Sequence, residues 1–430
     1  MNGGQLKELK GYRKERPLVL GQHTAISIAK ESGKWKDIPY LKENEGMMPP
    51  NLIVVGDRRR VLASVGLLKE YVLLDKVPSL IGESEKSTLL KATLKSCVSR
   101  ISRNPELSEL AGFLSEQYSF QQKGEEIQPL VFVGRLLNRF DSPLSDKKSF
   151  DELELIVREV MAISAGRVNV ALGIYEHDGL DLPLTILETQ MGMSAQDINA
   201  WEGLVNSRED GYIIYGKPVP ASAINVIRAG TCGGIIISEH GRGQTEAPVI
   251  DIGDQIIASA SIADGAVARQ RMGVWSAMDK KDMCKFQELW IKEGFEFTED
   301  GNWPVIRSSR AIIDALSSAS SELGLKVHHG ANSSKESLYM EGDEERVKAL
   351  RSLYFALSTE MEHFGLAFLA HELSKAGITV QNGLISTVVG TIPGGSFAMP
   401  GSEEEKKANE SQERMLEATM RALWKLTYEG

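Results

Sequence analysis

The sequence predicts a layered α/β fold, and three observations carry that expectation. Short apolar runs with strand character alternate with stretches of helical spacing along most of the chain. Turns of glycine and other small residues follow several of those runs. Arginine, threonine and glutamate gather at the ends of the runs, where such sheets place ligand groups. Between residues 77 and 160 the alternation lapses into leucines at helical intervals, which marks a mainly helical insertion.

The chain's 430 residues, 42% hydrophobic and 25% charged, suffice for a sizeable core in one large domain or two ordinary ones. A formal charge of −10 argues against a nucleic-acid surface, so its arginines need local explanations. Cys97, Cys232 and Cys284 are odd in number and far apart, as reduced thiols in an intracellular compartment would be. No His/Cys spacing suits a metal. The chain begins without an apolar signal region, and no apolar run nears the ~20 residues that span a bilayer. A cytoplasmic protein is expected.

Residues 1–50 read as a polar N-terminal extension with one apolar run before Gly21-Gln22-His23, closed by Pro49-Pro50. Leu52-Ile53-Val54-Val55 predicts a strand. Gly56-Asp57-Arg58-Arg59-Arg60 then predicts a glycine turn and a helix through Glu70. Cations in a first helical turn oppose the helix dipole, and an anion held there removes the conflict; a solvated charge run is the alternative. In the insertion, Leu89, Leu90, Leu94, Leu107, Leu110 and Leu114 recur between Gly82, Pro105, Pro129 and Pro143, and no motif there carries chemistry.

Strands are predicted again at 168–175 and 182–188, joined by a turn at His177-Asp178-Gly179. Met191-Gly192-Met193-Ser194 is a glycine turn feeding a helix, and its methionines either wall an apolar pocket or fill core. Ile235-Ile236-Ile237 and residues 253–258 read as strands, and 312–323 as a helix capped by Gly324. A strand at 325–328 precedes a polar loop from Ser333 to Tyr339. Glu360-Met361-Glu362 opens a helix, 364–373, apolar nearly all round and therefore buried. A last strand at 384–389, a Gly/Pro-rich loop at 390–401 and a C-terminal helix complete the chain.

Two stretches point to chemistry. Asn225-Val226-Ile227-Arg228-Ala229-Gly230-Thr231-Cys232-Gly233-Gly234 reads as a buried strand running into a turn of small residues. Glycine N–H groups, the Thr231 hydroxyl and the planar fork of Arg228 together suit an oxyanion such as phosphate. A solvated arginine in an ordinary turn is the plainer reading. The carboxylates of Glu360 and Glu362 fit a helix N-terminus, and one facing a cavity can accept hydrogen bonds from vicinal sugar hydroxyls.

Six pieces in this order resemble the nucleoside phosphorylase family that includes uridine phosphorylase and hexameric purine nucleoside phosphorylase. They are Gly56-Asp57-x-x-Arg60, Met191 to Ser194, Arg228 to Gly233, Gly253-Asp254, Ser333 to Tyr339, and Glu360-Met361-Glu362. The resemblance implies a three-layer α/β/α domain with a central mixed sheet over residues 51–430, interrupted by the insertion. It implies phosphate binding by Gly56, Arg60, Arg228 and Thr231, with ribose lined by Met191, Glu360, Met361 and Glu362. Arg167 and His23 are the nearest matches to a phosphate arginine and a histidine that reach in from a neighbouring subunit. The base would meet Thr231, Cys232, Gly233, Leu338, Tyr339, Arg346 and Val389.

The implied reaction is phosphorolysis of a ribonucleoside by inorganic phosphate as co-substrate, without a cofactor, in a homo-oligomer (a dimer, or a hexamer built of dimers). Departures bear on the base. Purine-specific members carry an aspartate after the last strand, where Val389-Gly390 stands here. Uridine-specific members carry a glutamine and an aromatic ring beside the tyrosine; Tyr339 and Arg346 match, but Leu338 replaces the ring and the glutamine is missing. The balance leans to uridine. A hydrolytic nucleosidase of the same fold, or a non-catalytic nucleoside-binding relative, are the rival readings. The proposition at stake is that Arg60 and Arg228 meet on one anion with Glu362 beside them.

Overall fold

The computed structural model describes residues 39–74, 105–122, 170–189, 192–236, 249–264, 295–298, 303–335, 344–392 and 396–430, with isolated positions elsewhere between 36 and 156 and at 288, 291 and 292. The chain divides into two compact units, Met1–Leu74 joined with Val170–Gly430, and Asp75–Asn169. Among the described residues the larger has first α1 (Pro39–Glu43), β1 (Asn51–Val55), α2 (Arg58–Val65) and β2 (Glu70–Leu74). In the smaller, a 3-10 turn at Pro105–Leu107 leads into α3 (Ser108–Gln122). Leu90, Leu94, Leu110, Leu114 and Phe132 form that unit's own core, and the leucines at helical spacing supply its apolar face.

The larger unit resumes with β3 (Val170–His177), β4 (Leu180–Glu188), α4 (Met193–Val205), β5 (Tyr212–Ile214), β6 (Lys217–Val219) and β7 (Ile224–Ile235). Then come β8 (Gln255–Asp264), β9 (Glu296–Phe297), β10 (Pro304–Arg307), α5 (Arg310–Glu322) and β11 (Val327–Lys335). The last elements are α6 (Glu344–Tyr354), β12 (Ala356–Glu360), α7 (His363–Lys375), β13 (Val380–Ile392) and α8 (Glu403–Tyr428). All strands except the β5–β6 pair join one sheet in the order β2-β3-β4-β1-β7-β12-β11-β8-β10-β9. The sheet is mixed: β1 runs parallel to β4 and β7, whereas β12 runs antiparallel to β7. β13 pairs with both β7 and β8, so β7, β12, β11, β8 and β13 close into a ring. The layered α/β class is the expected one; the closure was not foreseen.

Helices α2, α5 and α8 cover one face, where Val61, Leu316, Met415 and Leu423 share a core with Ile53, Ile186, Ile227 and Ile385. On the other, Met193 of α4 and Phe364 and Phe368 of α7 pack with Ala263 and Ile306. Each such side chain, fully buried, stabilises the fold by roughly 1.5–3 kcal/mol. Ten residues of α7 are buried, as its apolar circumference required. No helix among the described residues is long and apolar enough to cross a membrane.

Several boundaries differ from the sequence reading. The helix expected to reach Glu70 stops at Val65, where Gly66 turns the chain, and Glu70 opens β2. Ile235 ends β7 and does not begin a strand. Ser333, Ser334 and Lys335 belong to β11, not to a polar loop. Glu360 closes β12, Glu362 is the N-cap of α7, and the helix proper begins at His363. One cause is common to the three strand errors. Strands inside a ring have partners that satisfy polar groups, so hydrophobic patterning does not mark where they end.

The Gly253-Asp254 pair also acquires a structural role. Gly253 has φ +87, a conformation that favours glycine. Asp254 accepts hydrogen bonds from Lys326 Nζ at 2.7 Å, His328 Nε2 at 2.9 Å and the Asp251 N–H at 3.0 Å, tying the entrance of β8 to β11. Burial alone would raise its pKa, but the bonds from Lys326 and His328 outweigh it and hold the carboxyl below its ordinary value. A depressed pKa gives stability that is present above the unfolded value and lost as pH falls through the folded one. Asp254→Asn is therefore expected to cost roughly 1–3 kcal/mol in urea unfolding at neutral pH. The gap from the parent should shrink in acid; a gap that is constant with pH would contradict this role.

Candidate active site

The site is built on β7. β13 follows this strand along its whole length on one flank. On the other flank β1 pairs as far as Val54 opposite Arg228, and β12 takes over, from the opposite direction, at Gly233 and Gly234. Residues 229–232 therefore have no strand partner on that flank among the described residues. β1 leaves through Gly56 at one bank of this split, and β12 leaves through Glu360, Met361 and Glu362 at the other. The turn of small residues expected after Arg228 is thus an error: the stretch is strand, and its glycines allow close packing. A Cβ on Gly230 would stand 3.2 Å from Arg228 Cζ, and one on Gly234 would stand 2.7 Å from Ile250 Cγ2.

Arg228 is only 3% exposed. Its Nη1 donates to the carbonyls of Val54 (3.3 Å) and Ala229 (3.0 Å), and its Nη2 to Glu362 Oε2 at 3.0 Å. Its Nε has no partner among the described residues. Arg60 comes from α2, where the N-cap Asp57 accepts its N–H at 3.0 Å and pairs with its Nη1 at 3.2 Å. The chain thus supplies part of the negative charge that the first turn of α2 calls for. Arg60 also donates to Gln412 Oε1 at 3.3 Å and Thr231 Oγ1 at 3.0 Å. The two arginines meet at Gly56: the position a Cβ would take there lies 3.0 Å from Arg228 Nη2 and 3.5 Å from Arg60 Nη1.

The paired carboxylates have different employment. Glu360 Oε1 accepts from Asn332 Nδ2 at 2.7 Å and from the Ser334 hydroxyl, and Oε2 from the N–H groups of Glu362 (2.8 Å) and His363 (2.9 Å). A carboxylate offers about four acceptor positions, so Glu360 is fully engaged, one oxygen tied to β11 and the other capping α7. Glu362 is 4% exposed. Its Oε1 accepts the Gly192 N–H at 3.0 Å, while Oε2 accepts Arg228 Nη2 and the Met361 N–H. The Glu360 carboxyl is a further side-chain partner of Glu362. Gly192, at φ +95, turns its N–H toward that carboxylate in a conformation that other residues rarely adopt.

Charge follows the same division. Burial, then the Glu362 charge, push the Glu360 pKa up. Burial alone would also raise Glu362, but Arg228 and the Gly192 N–H more than offset it and hold it low, hence ionised. His363, whose Nδ1 lies 2.6 Å from Ser261 Oγ, is driven down to about 3 by burial and by Arg228, so its ring is neutral. Cys232 is pushed up to about 12 by burial, an inert thiol. Cys232 and Gly233 face Val388 and Gly390 across a register shift that leaves Val389 as the extra residue. Such a bulge re-aims a side chain, here beside two of the residues expected at the base.

The structure therefore brings together Gly56, Arg60, Arg228, Thr231 and Glu362, with Met361, Cys232, Gly233 and Val389 adjoining. His23, Arg167, Met191, Leu338 and Tyr339 lie outside the described residues, as does the Arg346 side chain, although Arg346 itself is in α6. Sequence reasoning missed Lys335, whose buried Nζ donates to Thr359 Oγ1 at 3.1 Å. It also missed Asn332 and Ser334 as the holders of Glu360. Their polar run carried no sign of burial. No group of three metal-ligating side chains occurs among the described residues.

A family model described as the phosphorylase superfamily matches residues 151–422. That span contains Arg228, Thr231 and Glu362; Gly56 and Arg60 precede it, and the sheet brings them in beside β7. Among solved structures, the chain is similar to purine nucleoside phosphorylase from Toxoplasma gondii in complex with immucillin-H, at 14% identity over 89% of this chain and 93% of that one, with TM-score 0.44. It is also similar to uridine phosphorylase from Vibrio fischeri ES114, at 14% identity over 88% and 92%, with TM-score 0.44. No curated protein matches it.

Glu360→Ala would leave four donors without their acceptor, each costing roughly 1–3 kcal/mol if unsatisfied. A stability loss above ~3 kcal/mol is expected by denaturant unfolding, and a smaller one for Glu360→Gln, which keeps one acceptor oxygen. An alanine variant within ~1 kcal/mol of the parent would contradict the capping role.

Proposed function

The chain belongs to the phosphorylase superfamily, and on that premise we propose that it is a nucleoside phosphorylase, converting a ribonucleoside and inorganic phosphate to free base and ribose 1-phosphate. The convergence of Arg60 and Arg228 on Gly56, with Glu362 bonded to Arg228, is the observation that supports this most. Two planar cations and the Thr231 hydroxyl beside a residue without a side chain form a cradle for a tetrahedral oxyanion. The Arg228 Nε supplies a further donor.

Phosphate held there sits next to Glu362, whose carboxylate suits a ribose hydroxyl. As the glycosidic bond lengthens, the anomeric carbon becomes cationic. The phosphate and the ionised Glu362 then face growing positive charge, in a site too dry for water to screen them. Positioning supplies the rest: phosphate and sugar are bound in line, so their encounter no longer costs entropy. The base lies toward Cys232, Gly233 and Val389. Because the strand ends without the aspartate of purine-specific members, uridine is slightly favoured over purine. The reading includes a homo-oligomer in which a neighbouring subunit completes the site, and no cofactor.

Arg60 allows a cleaner test than Arg228, because losing Arg228 would strand a buried carboxylate. Base release from a nucleoside panel should require phosphate and yield ribose 1-phosphate in equal amount. Arg60→Ala should raise the KM for phosphate roughly ten- to a hundred-fold, the value of one charge-assisted contact, and change the KM for nucleoside little. Full-rate release without phosphate would favour a hydrolase. No release from any nucleoside would favour a binding protein.

A further inference from the structure

Lysine is seldom fully buried unless a partner or a ligand explains it. Lys335 ends β11 at 3% exposure. Its ammonium donates to Thr359 Oγ1 at 3.1 Å, and Thr359 stands in register with Gly233 across β12 and β7. Gly233 pairs on its other flank with Gly390, next to the bulged Val389. Lys335 thus belongs to the bank of the split away from Gly56, where β12, rather than β1, borders β7. On the phosphorolytic reading, phosphate takes the bank at Gly56, Glu362 links to both, and the base is left the other.

The other titratable groups near Gly233 are less well suited to give a base its proton. The Cys232 thiol is pushed up to about 12. Glu360 is pushed up to about 7 by burial and the Glu362 charge, but both its oxygens are engaged by protein donors, which turns it away from a base. Burial pulls Lys335 down to about 8, with Glu360, Cys232 and Glu362 opposing that fall, so near neutrality it holds a proton that it can give up. The ends of β7 and β13 here are apolar or small: Cys232, Gly233, Val388 and Val389.

We infer that Lys335 donates a proton to the departing base, an inference that rests on the phosphorolytic reading above. The C1′–N bond breaks with its electron pair passing to the base, and a phosphate oxygen bonds to C1′. The ammonium proton moves to a nitrogen or conjugated carbonyl oxygen of the base. The neutral amine then recovers a proton from solvent. A lysine that served only as counter-ion to Glu360 and Glu362 would support every substrate alike. A proton donor matters only where the leaving group needs one.

The test compares a nucleoside with 4-nitrophenyl riboside, whose leaving group departs unprotonated. In the parent enzyme, kcat/KM for the nucleoside should fall as pH rises through about 8, with no such limb for the nitrophenyl riboside. Lys335→Met should lower nucleoside kcat/KM roughly 10²–10⁴-fold, abolish that limb, and lower nitrophenyl riboside cleavage only a few-fold. Lys335→Arg, which keeps the charge but cannot release a proton, should not restore the nucleoside rate. Equal losses on both substrates in a variant that melts like the parent would overturn the assignment, as would rescue by arginine. If the variants do not fold, the parent's two pH profiles decide, and identical basic limbs would overturn it. A parent inert toward both substrates would overturn the phosphorolytic reading itself, and this inference with it.

Discussion

The site depends on a change of partners along one strand. β7 loses β1 after Arg228 and gains β12 only at Gly233, while β13 holds its other flank throughout. A strand left unpaired in a protein interior exposes backbone groups that need partners. Here the Arg228 guanidinium meets part of that need through the carbonyls of Val54 and Ala229. The same split brings the exits of β1 and β12 face to face, so the phosphate and ribose groups of the proposed site come from chain segments far apart in sequence. Gly56 and Gly230 have no side chain because the guanidinium occupies the space.

Burying the Arg228–Glu362 pair has a desolvation cost that a lone ion pair seldom recovers. The surroundings recover it by hydrogen bonding: Gly192 and Met361 donate to Glu362, and Glu360 fixes the helix that carries it. The result is a carboxylate held ionised in a dry place, which is what stabilising a sugar cation requires. Two carboxylates two residues apart thus divide the labour: Glu360 fixes the start of α7, and Glu362 pairs with Arg228. Their difference comes from the partners each meets, above all the Arg228 guanidinium beside Glu362, rather than from residue type.

Much of this was legible in the sequence. The strand at 51–55, the hairpin around Asp178-Gly179, the buried α7 and the long C-terminal helix follow from periodicity and turn chemistry. The convergence of Arg60, Arg228 and Glu362 was expected from a resemblance in motifs, and the structure brings the three together. The split in the sheet was not legible. Residues 228–234 are small and polar enough to read as a turn, and only neighbours remote in sequence make them a strand. Lys335 escaped for a related reason: within Ser333-Ser334-Lys335 nothing local says that β8 and β12 bury it. Register shifts such as that at Val389 are likewise set by pairing, not by composition.

The central claim is that Arg60 and Arg228 hold one anion at Gly56, and crystals of the protein soaked with arsenate test it most directly. Arsenate has the shape and charge of phosphate, and its anomalous scattering marks its position without reference to the protein. The account predicts a peak within hydrogen-bonding reach of both guanidinium groups and the Thr231 hydroxyl, with Glu362 alongside. A saturated soak that placed the anion elsewhere, or left these two arginines without one, would contradict it.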